Sequence, residues 1–254
     1  MNGLRRVLAT DIDGTLVGYG GEEHLVGFFE RHADLAVIYL TGRTRHNAET
    51  VLRRYGFPTP LAVATEVGAE IYWGRHMVMD DIWAFQQRQD WSPRRILHLL
   101  EAVDGVCYRG RSSHWRLAFD VHEPGMVKEV RRLLTGERVA VHLLWEEADH
   151  RLDVLPAKAH KGLALNHILN RAGIRSRACF VAGNGENDRD LMQGHFPGVI
   201  VANACHRLKA STSEVIWHSS RPGAYGVIEG LTRWCDQGAA KPLLAGAEGA
   251  ADLA

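Results

Sequence analysis

The sequence predicts an α/β protein with a doubly wound parallel sheet as its core and a smaller α+β domain inserted into it. Two short, largely apolar runs near the N-terminus, Arg6–Thr10 and Leu35–Leu40, do not alternate polar and apolar residues. Continuous apolarity of this kind is typical of strands buried on both faces of a parallel sheet. Amphipathic segments alternate with such runs at both ends of the chain, as in doubly wound proteins.

Each of the two N-terminal strands is accompanied by a predicted helix. The segment Glu23–His32 is helix-like, and Arg45–Tyr55 is followed by Gly56 and Pro58, which are common stop signals for helices. Near the C-terminus the pattern returns. A helix over His160–Ala172, with Gly173 as its stop, precedes a strand over Ala178–Ala182 and the apolar run Val199–Ala202. These segments predict the second half of the same sheet.

The middle of the chain has a mixed pattern that predicts the α+β insertion. Ser92 and Pro93 predict a helix start, because serine caps helices and proline fits their first turn. The strand-like stretches Trp115–His122 and Val139–Leu144 flank a predicted helix over Gly125–Leu134. The tail is rich in alanine and glycine without periodicity, so we expect it to be disordered. The predicted units are a core (1–78 and 157–237), an α+β cap domain (79–156) and the tail (238–254).

Composition excludes several classes of protein. The 254 residues include 46% hydrophobic and 24% charged residues, which is typical of a globular chain. Thirty basic and 30 acidic side chains give no net charge, so we expect no nucleic acid and no membrane surface as partner. No apolar run approaches the roughly 20 residues of a membrane-spanning helix. The sequence has no signal-peptide pattern and no paired cysteines, so we expect a cytoplasmic protein. We further expect either a monomer or a weak dimer.

Two aspartates follow the first strand. Asp11 and Asp13 are two residues apart, so both carboxylates point to one side, and ligands bind at the carboxyl ends of strands in such sheets. With a cation to offset their repulsion, they can act as nucleophile and general acid/base. Gly14 allows a tight turn, and Thr15 offers a hydroxyl and an N–H group. The alternative is an ordinary Asx turn.

Three further clusters favour the catalytic interpretation. Thr41 and Gly42 end the second strand and can hold a phosphoryl oxygen, and Lys161-Gly162 opens a helix, where a cation indicates a nearby anion. The loop Gly183–Asp188 follows a strand and brings Asp188 to the same sheet edge. Oxygen ligands without thiols suit Mg²⁺. The 14 histidines are scattered and include no HExxH motif, so we predict no zinc site.

The four clusters resemble the four motifs of the haloacid dehalogenase superfamily of phosphotransferases, with the cap inserted between the second and third motifs. Within that superfamily the chain bears a closer resemblance to the sucrose-6-phosphate phosphatase group, which includes mannosylfructose-phosphate phosphatase. The closer resemblance rests on five further stretches: Thr65–Tyr72, Asp81–Trp83, Leu152–Pro156, Gly198–Asn203 and Gly226–Leu231.

The resemblance implies a role for each motif residue. Asp11 would be the nucleophile that forms an aspartyl-phosphate, and Asp13 the general acid and base. Thr41 and Lys161 would hold the phosphoryl oxygens. The remaining implied phosphate contacts are Gly14, Thr15, Gly42 and Asn187. Mg²⁺ would be held by Asp11, the backbone carbonyl of Asp13, and Asp188, with Asn184 as a weaker oxygen ligand.

Asn184 is the main departure from the family pattern, which has aspartate at this position. Asparagine keeps a carbonyl oxygen for the metal but lacks the negative charge. We expect a working phosphatase with weaker Mg²⁺ binding; the alternative is an impaired catalyst that still binds sugar phosphates.

The resemblance implies a Mg²⁺-dependent sugar-phosphate phosphatase, with a small-molecule sugar phosphate as its partner. The expected substrate is a disaccharide phosphate such as sucrose-6-phosphate; mannosylfructose phosphate, a glycosylglycerate phosphate or another specialised sugar phosphate are the alternatives. Carboxylates and basic groups commonly bind sugar hydroxyls. The candidate substrate contacts are Arg43, Glu66, Arg109, Arg116 and Glu146.

Overall fold

The predicted α/β fold with a parallel central sheet is confirmed. The computed structural model describes residues 6–210 and 213–240. These residues form an eight-stranded sheet and a separate four-stranded sheet. The strands are β1 (Arg6–Thr10), β2 (Leu35–Leu40), β3 (Ala62–Thr65), β4 (Glu70–Trp73), β5 (Val78–Met79), β6 (Val106–Ser113), β7 (Arg116–Val121), β8 (Val141–Glu146), β9 (Arg151–Pro156), β10 (Cys179–Gly183), β11 (Gly198–Ile200) and β12 (Ile216–His218).

Helices occur between most of the strands of the central sheet and on one face of the smaller one. They are α1 (Glu22–Arg31), α2 (Arg45–Tyr55), α3 (Asp81–Arg88), α4 (Pro93–Leu100), α5 (Pro124–Gly136), α6 (Lys161–Ala172), α7 (Arg189–Met192), α8 (His206–Lys209) and α9 (Gly223–Ala240). In the described ranges, no helix combines the length and apolarity needed to cross a membrane.

The central sheet brings together the ends of the three strands that precede the predicted site residues. Its order is β12-β11-β10-β1-β2-β3-β4-β5, in which β1 pairs in parallel with both β2 and β10. Only β4 and β5, at one edge, run antiparallel to their neighbours. Because parallel strands end at the same side of a sheet, the polar residues after β1, β2 and β10 meet in one place.

The smaller sheet is antiparallel and has the order β6-β7-β9-β8. Apolar residues on alternate positions of β7 and β9, such as Leu117 and Val154, pack with Ile96 of α4 and Val130 of α5. The residues between them, including Arg116 and Asp153, therefore point to the opposite face, because side chains alternate along a strand. That face borders the cavity described below.

Asp80 fastens the segment between β5 and α3 to the central sheet. Its buried carboxylate accepts hydrogen bonds from the Trp83 backbone N–H, Trp73 Nε1, His167 Nε2 and Arg171 Nη1, at 2.9–3.1 Å. Trp83 of α3 packs in the core of the central sheet. The boundary predicted at residue 79 thus falls inside β5 of that sheet. We propose that the insertion begins after α3.

Several predicted elements shift or gain neighbours in the structure. Helix α6 begins at Lys161 rather than at His160, and Ser92 precedes α4 without forming a side-chain cap hydrogen bond. The sequence patterns did not predict β3–β6, β9, β12, α3, α7, α8 or α9. Helix α9 continues through residues 238–240 of the predicted tail, and the rest of that tail, 241–254, lies outside the described residues.

Candidate active site

Asp11 lies immediately after β1 and is almost completely buried. Its backbone N–H donates to the carbonyl of Ala182 at the end of β10, 3.0 Å away, which extends the sheet by one residue. One carboxylate oxygen, Oδ1, accepts a 2.6 Å hydrogen bond from Lys161 Nζ. The other, Oδ2, lies 3.3 Å from the Thr15 hydroxyl. Asp11 also lines a cavity of about 600 Å³.

Lys161 is the first residue of α6, and no part of its side chain is exposed. Its Nζ donates to Asp11 Oδ1 and to Asp188 Oδ1, both at 2.6 Å. Burial alone would lower the pKa of Lys161, but the two carboxylates outweigh this effect and the pKa is raised. The lysine therefore stays protonated and bridges the first and fourth motifs.

The pKa of Asp11 is raised by its surroundings. Burial is the main cause, Lys161 opposes it, and the carboxylate of Asp188 adds to it; together they raise the pKa of Asp11 to about 7. Desolvation thus outweighs the neighbouring ammonium group. A second cation beside Asp11 would favour its ionised form, which is the nucleophilic one.

The fourth-motif loop is held by Asp188. Its Oδ2 accepts hydrogen bonds from the backbone N–H groups of Asn184 and Gly185, both at 2.9 Å. A Cβ atom on Gly183 would lie only 2.7 Å from Asp188 Cγ, so glycine is required at that position. Its other oxygen, Oδ1, accepts from Lys161, so both carboxylate oxygens of Asp188 are used in hydrogen bonds within the protein.

The Thr15 hydroxyl connects the side chain of Asn184 with that of Asp11. The Thr15 hydroxyl donates to Asn184 Oδ1 at 2.9 Å and lies near Asp11 Oδ2 as well. Gly14 has a φ of 75°, and a Cβ there would lie 2.3 Å from Asn184 Nδ2. The turn after β1 therefore needs glycine to admit the Asn184 side chain.

The oxygen donors at this site suit Mg²⁺. Asp11 supplies a carboxylate and Asn184 an amide oxygen, and both line the cavity. Among the described residues, no group of three or more His, Cys, Asp or Glu side chains has the arrangement of a metal site. One reason is that Asn184 occupies a position at which the family pattern has aspartate. A second is that both carboxylate oxygens of Asp188 already accept hydrogen bonds within the protein. Hard oxygen donors with one carboxylate at the cavity fit an ion that retains water and phosphate oxygens among its ligands.

Asp13 forms a bidentate ion pair with Arg43. Arg43 Nε donates to Oδ2 at 2.7 Å and Nη2 to Oδ1 at 2.6 Å, with the Asp13 side chain half exposed. Paired, parallel hydrogen bonds fix the orientation of a carboxylate strongly. Arg43 thus holds Asp13 at the cavity, which Arg43 also lines, as a substrate contact would.

The second motif is supported by a loop in an unusual conformation. Thr41 is fully buried; its hydroxyl accepts from the Arg43 N–H, and its carbonyl accepts from the Val67 N–H. Glu66 donates its N–H to the Arg43 carbonyl. Glu66 and Val67 have φ values of 50° and 60°, which non-glycine residues rarely adopt and which often mark functional sites.

A cavity of about 600 Å³ connects the motifs with the smaller sheet. Of the predicted residues, those that line it are Asp11, Asp13, Gly42, Arg43, Arg116, Glu146, Asn184 and Asn187. Thr15, Thr41, Lys161 and Asp188 are buried behind this surface. The cavity also involves Arg151, and Gly185 and Glu186 of the predicted fourth-motif loop, together with residues that were not predicted: Val67, Leu143, Leu144, Trp145, Asp153 and Arg207.

Two predicted substrate contacts lie elsewhere. Glu66 is buried outside the cavity lining and pairs with Arg116 Nη2 at 2.9 Å. Arg109 lines a neighbouring cavity of about 320 Å³ and pairs with Asp120 at 3.2 Å. Asp153 was missed, although a charged residue inside the apolar run Leu152–Pro156 is a recognisable signal of a functional position.

Known proteins resemble this chain along most of its length. The family described as sucrose-6F-phosphate phosphohydrolase matches residues 4–235. The mannosylfructose-phosphate phosphatase of Agrobacterium fabrum is 28% identical, over 90% of this chain and 96% of that protein. The probable sucrose-phosphatase 3a of Arabidopsis thaliana is 27% identical over 91% of this chain, which spans only 60% of that protein.

A solved structure supports the fold. The sucrose-phosphatase of Synechocystis sp. PCC6803, in complex with sucrose and phosphate, superposes with a TM-score of 0.82 at 21% identity. The alignment covers 91% of this chain and 98% of that one.

Proposed function

Because the chain belongs to the sucrose-6F-phosphate phosphohydrolase family, and is thus a sugar-phosphate phosphatase of the haloacid dehalogenase type, we propose that it hydrolyses a disaccharide phosphate with Asp11 as nucleophile and Mg²⁺ as cofactor. The observation that carries the proposal is the buried contact of Lys161 with Asp11 and Asp188 behind a cavity that Asp11 itself lines. A buried, cation-paired carboxylate that still reaches a cavity is suited to attack a bound phosphoryl group.

The proposed reaction has two steps. In the first, a carboxylate oxygen of Asp11 forms a bond to phosphorus as the bond between phosphorus and the sugar oxygen breaks, and Asp13 gives its proton to that oxygen. In the second, Asp13 takes a proton from a water molecule, whose oxygen attacks phosphorus and releases Asp11 and inorganic phosphate. The two hydrogen bonds from Arg43 fix the orientation of the Asp13 carboxyl group at the cavity, where it can exchange a proton with the leaving group and with water. The first step requires that Asp13 carry a proton.

Charge on the phosphoryl oxygens would be offset by Lys161, the Thr41 hydroxyl and the N–H of Gly42. Asp11, Asn184 and the backbone carbonyl of Asp13 would hold Mg²⁺, which supplies positive charge at the phosphoryl oxygens and favours the ionised form of Asp11. Asn184 makes this site one negative charge poorer than a site with aspartate. We expect weaker metal binding as the consequence.

Sucrose-6-phosphate is the proposed substrate, and mannosylfructose phosphate is the second candidate. The second is favoured by the relative from Agrobacterium fabrum, of which the chain covers 96%. The first is supported by the family description and by the Synechocystis structure, which holds sucrose and phosphate. Both are phosphate esters of neutral disaccharides.

The test is phosphate release from a panel of sugar phosphates and from p-nitrophenyl phosphate at saturating Mg²⁺. We expect turnover of a disaccharide phosphate by the wild type and none by Asp11→Asn, with Asp120→Asn as a control at a half-exposed aspartate outside both cavities. Turnover of p-nitrophenyl phosphate alone would contradict the disaccharide assignment. No wild-type turnover, with activity gained in Asn184→Asp, would instead favour a sugar-phosphate-binding protein.

A further inference from the structure

Asp153 is a buried carboxylate in the cavity wall that the proposed chemistry does not use. It lies on β9 between Leu152 and Val154, which both pack into the core of the smaller sheet. Only 4% of Asp153 is exposed, yet it lines the active-site cavity and also the neighbouring 320 Å³ cavity. Its side chain therefore points from β9 to the face of the sheet that carries Arg116.

Two guanidinium groups flank Asp153 without satisfying it. Arg151 Nε lies 3.3 Å from Oδ1, and Arg116 Nη1 lies 3.6 Å from Oδ2. Within the described part of the chain, Asp153 Oδ1, Arg116 Nε and Arg151 Nε have no hydrogen-bond partner. Buried polar atoms are nearly always hydrogen-bonded, since leaving them unpaired is costly. Unpaired donors and an unpaired acceptor beside one cavity indicate a ligand that can both donate and accept.

Arg116 connects this group to the phosphate-binding loop. Its Nη2 donates to the carbonyl of Gly42 at 2.8 Å and lies 2.9 Å from Glu66 Oε2. Glu66 belongs to the loop with positive φ values that supports Thr41 and Arg43. The side chain of Arg116 is only 15% exposed, so this contact is held firmly. Asp153 therefore has a defined position relative to the site of phosphoryl transfer.

We propose that Asp153 is a specificity-determining residue that binds hydroxyl groups of the sugar leaving group, with Arg151 and Arg116 donating to oxygens of the same sugar. A cation would be repelled by the two guanidinium groups, and an anion by the carboxylate. A neutral polyhydroxylated group can bind the carboxylate and the guanidinium groups together, because each hydroxyl can donate to Asp153 and accept from an arginine. The inference rests on the proposed function and deepens it: the leaving group is an uncharged sugar.

The test compares two substrates in Asp153→Asn and in the control Asp120→Asn. Asp120 lies on the same sheet face, two residues from Ala118, but lines neither cavity and pairs with the half-exposed Arg109. In Asp153→Asn we expect kcat/KM for the disaccharide phosphate to fall about 10- to 100-fold, the range for a lost hydrogen bond to a charged group, mostly through KM. For p-nitrophenyl phosphate, which has no hydroxyl groups, we expect kcat/KM to stay within about twofold. Inhibition by inorganic phosphate should also be retained.

The possible outcomes separate this proposal from the previous one. Equal losses for both substrates, or no loss for either, would overturn the role of Asp153 and leave the phosphatase assignment intact. A wild type that hydrolyses p-nitrophenyl phosphate but no sugar phosphate would overturn both. Folding of each variant is verified by thermal unfolding. If Asp153→Asn fails to fold, Arg151→Gln, at a side chain 34% exposed, is tested against the same two substrates with the same expected selectivity.

Discussion

Replacement of Lys161 by methionine tests the central electrostatic contact of the site. Methionine keeps most of the volume and apolar stem of lysine but removes the ammonium group. In the wild type that group donates to Asp11 and Asp188 at 2.6 Å each, with the lysine side chain completely buried. The variant leaves two buried carboxylates beside each other without a cation. We expect it to be less stable at neutral pH and to lack phosphatase activity.

The size of the effect follows from burial and charge. Removing one partner of a buried ion pair costs about 3–5 kcal/mol, because the remaining charge is left uncompensated. Without Lys161, burial and Asp188 both raise the pKa of Asp11 beyond its wild-type value of about 7. A group with a raised pKa stabilises the folded state below its unfolded pKa of about 4 and loses this contribution as the pH rises. The stability deficit of Lys161→Met should therefore be larger at pH 8 than at pH 5.

The measurement is urea unfolding of the wild type and Lys161→Met at pH 5 and pH 8, without Mg²⁺. Lys158→Met serves as the control, because Lys158 is half-buried, three residues earlier, and forms no ion pair with the described residues. We expect less than about 0.5 kcal/mol change for the control. Equal free energies of unfolding for wild type and Lys161→Met at pH 8, or a deficit that does not depend on pH, would refute the reasoning.

Three further predictions concern other parts of the molecule. Asn184→Asp should raise Mg²⁺ affinity at least about tenfold, measured by calorimetric titration, because it adds a negative charge beside Asp11; an unchanged affinity would place Asn184 outside the metal site. Asp80→Asn should lower the free energy of unfolding by about 2–4 kcal/mol at pH 7, since four donors share its buried carboxylate, while the exposed neighbour Asp81→Asn should have little effect. Hydrogen bonds outweigh burial and lower the pKa of Asp80, so this difference should shrink as the pH falls below about 4; a constant difference would contradict the assignment. Glu66→Gln should reduce kcat/KM for sugar phosphates more than for p-nitrophenyl phosphate, because Arg116 loses the nearer of its two charged partners; equal reductions would show that Glu66 acts only on the phosphate loop.

The catalytic motifs were predictable because they are local. A buried strand followed by polar residues is visible in a short stretch of sequence, and β1, β2 and α2 have the predicted bounds. Parallel pairing of β1 with β2 and β10 then brings Asp11, Thr41 and the fourth-motif loop to one sheet edge without further information. The short edge strands β5 and β12 were missed, because two or three residues carry no usable periodicity.

The sequence by itself determined the α/β class, the catalytic strand ends and the chemical nature of the site, since each depends on residues close together in the chain. Only the tertiary structure decided which partner each charged side chain takes. Lys161 meets Asp11 across 150 residues, and Arg116 meets Gly42 across 74. Asp153 acquires its place in the cavity because β9 packs beside β7. Such contacts depend on how sheets and helices pack against one another, which local propensity and periodicity do not encode.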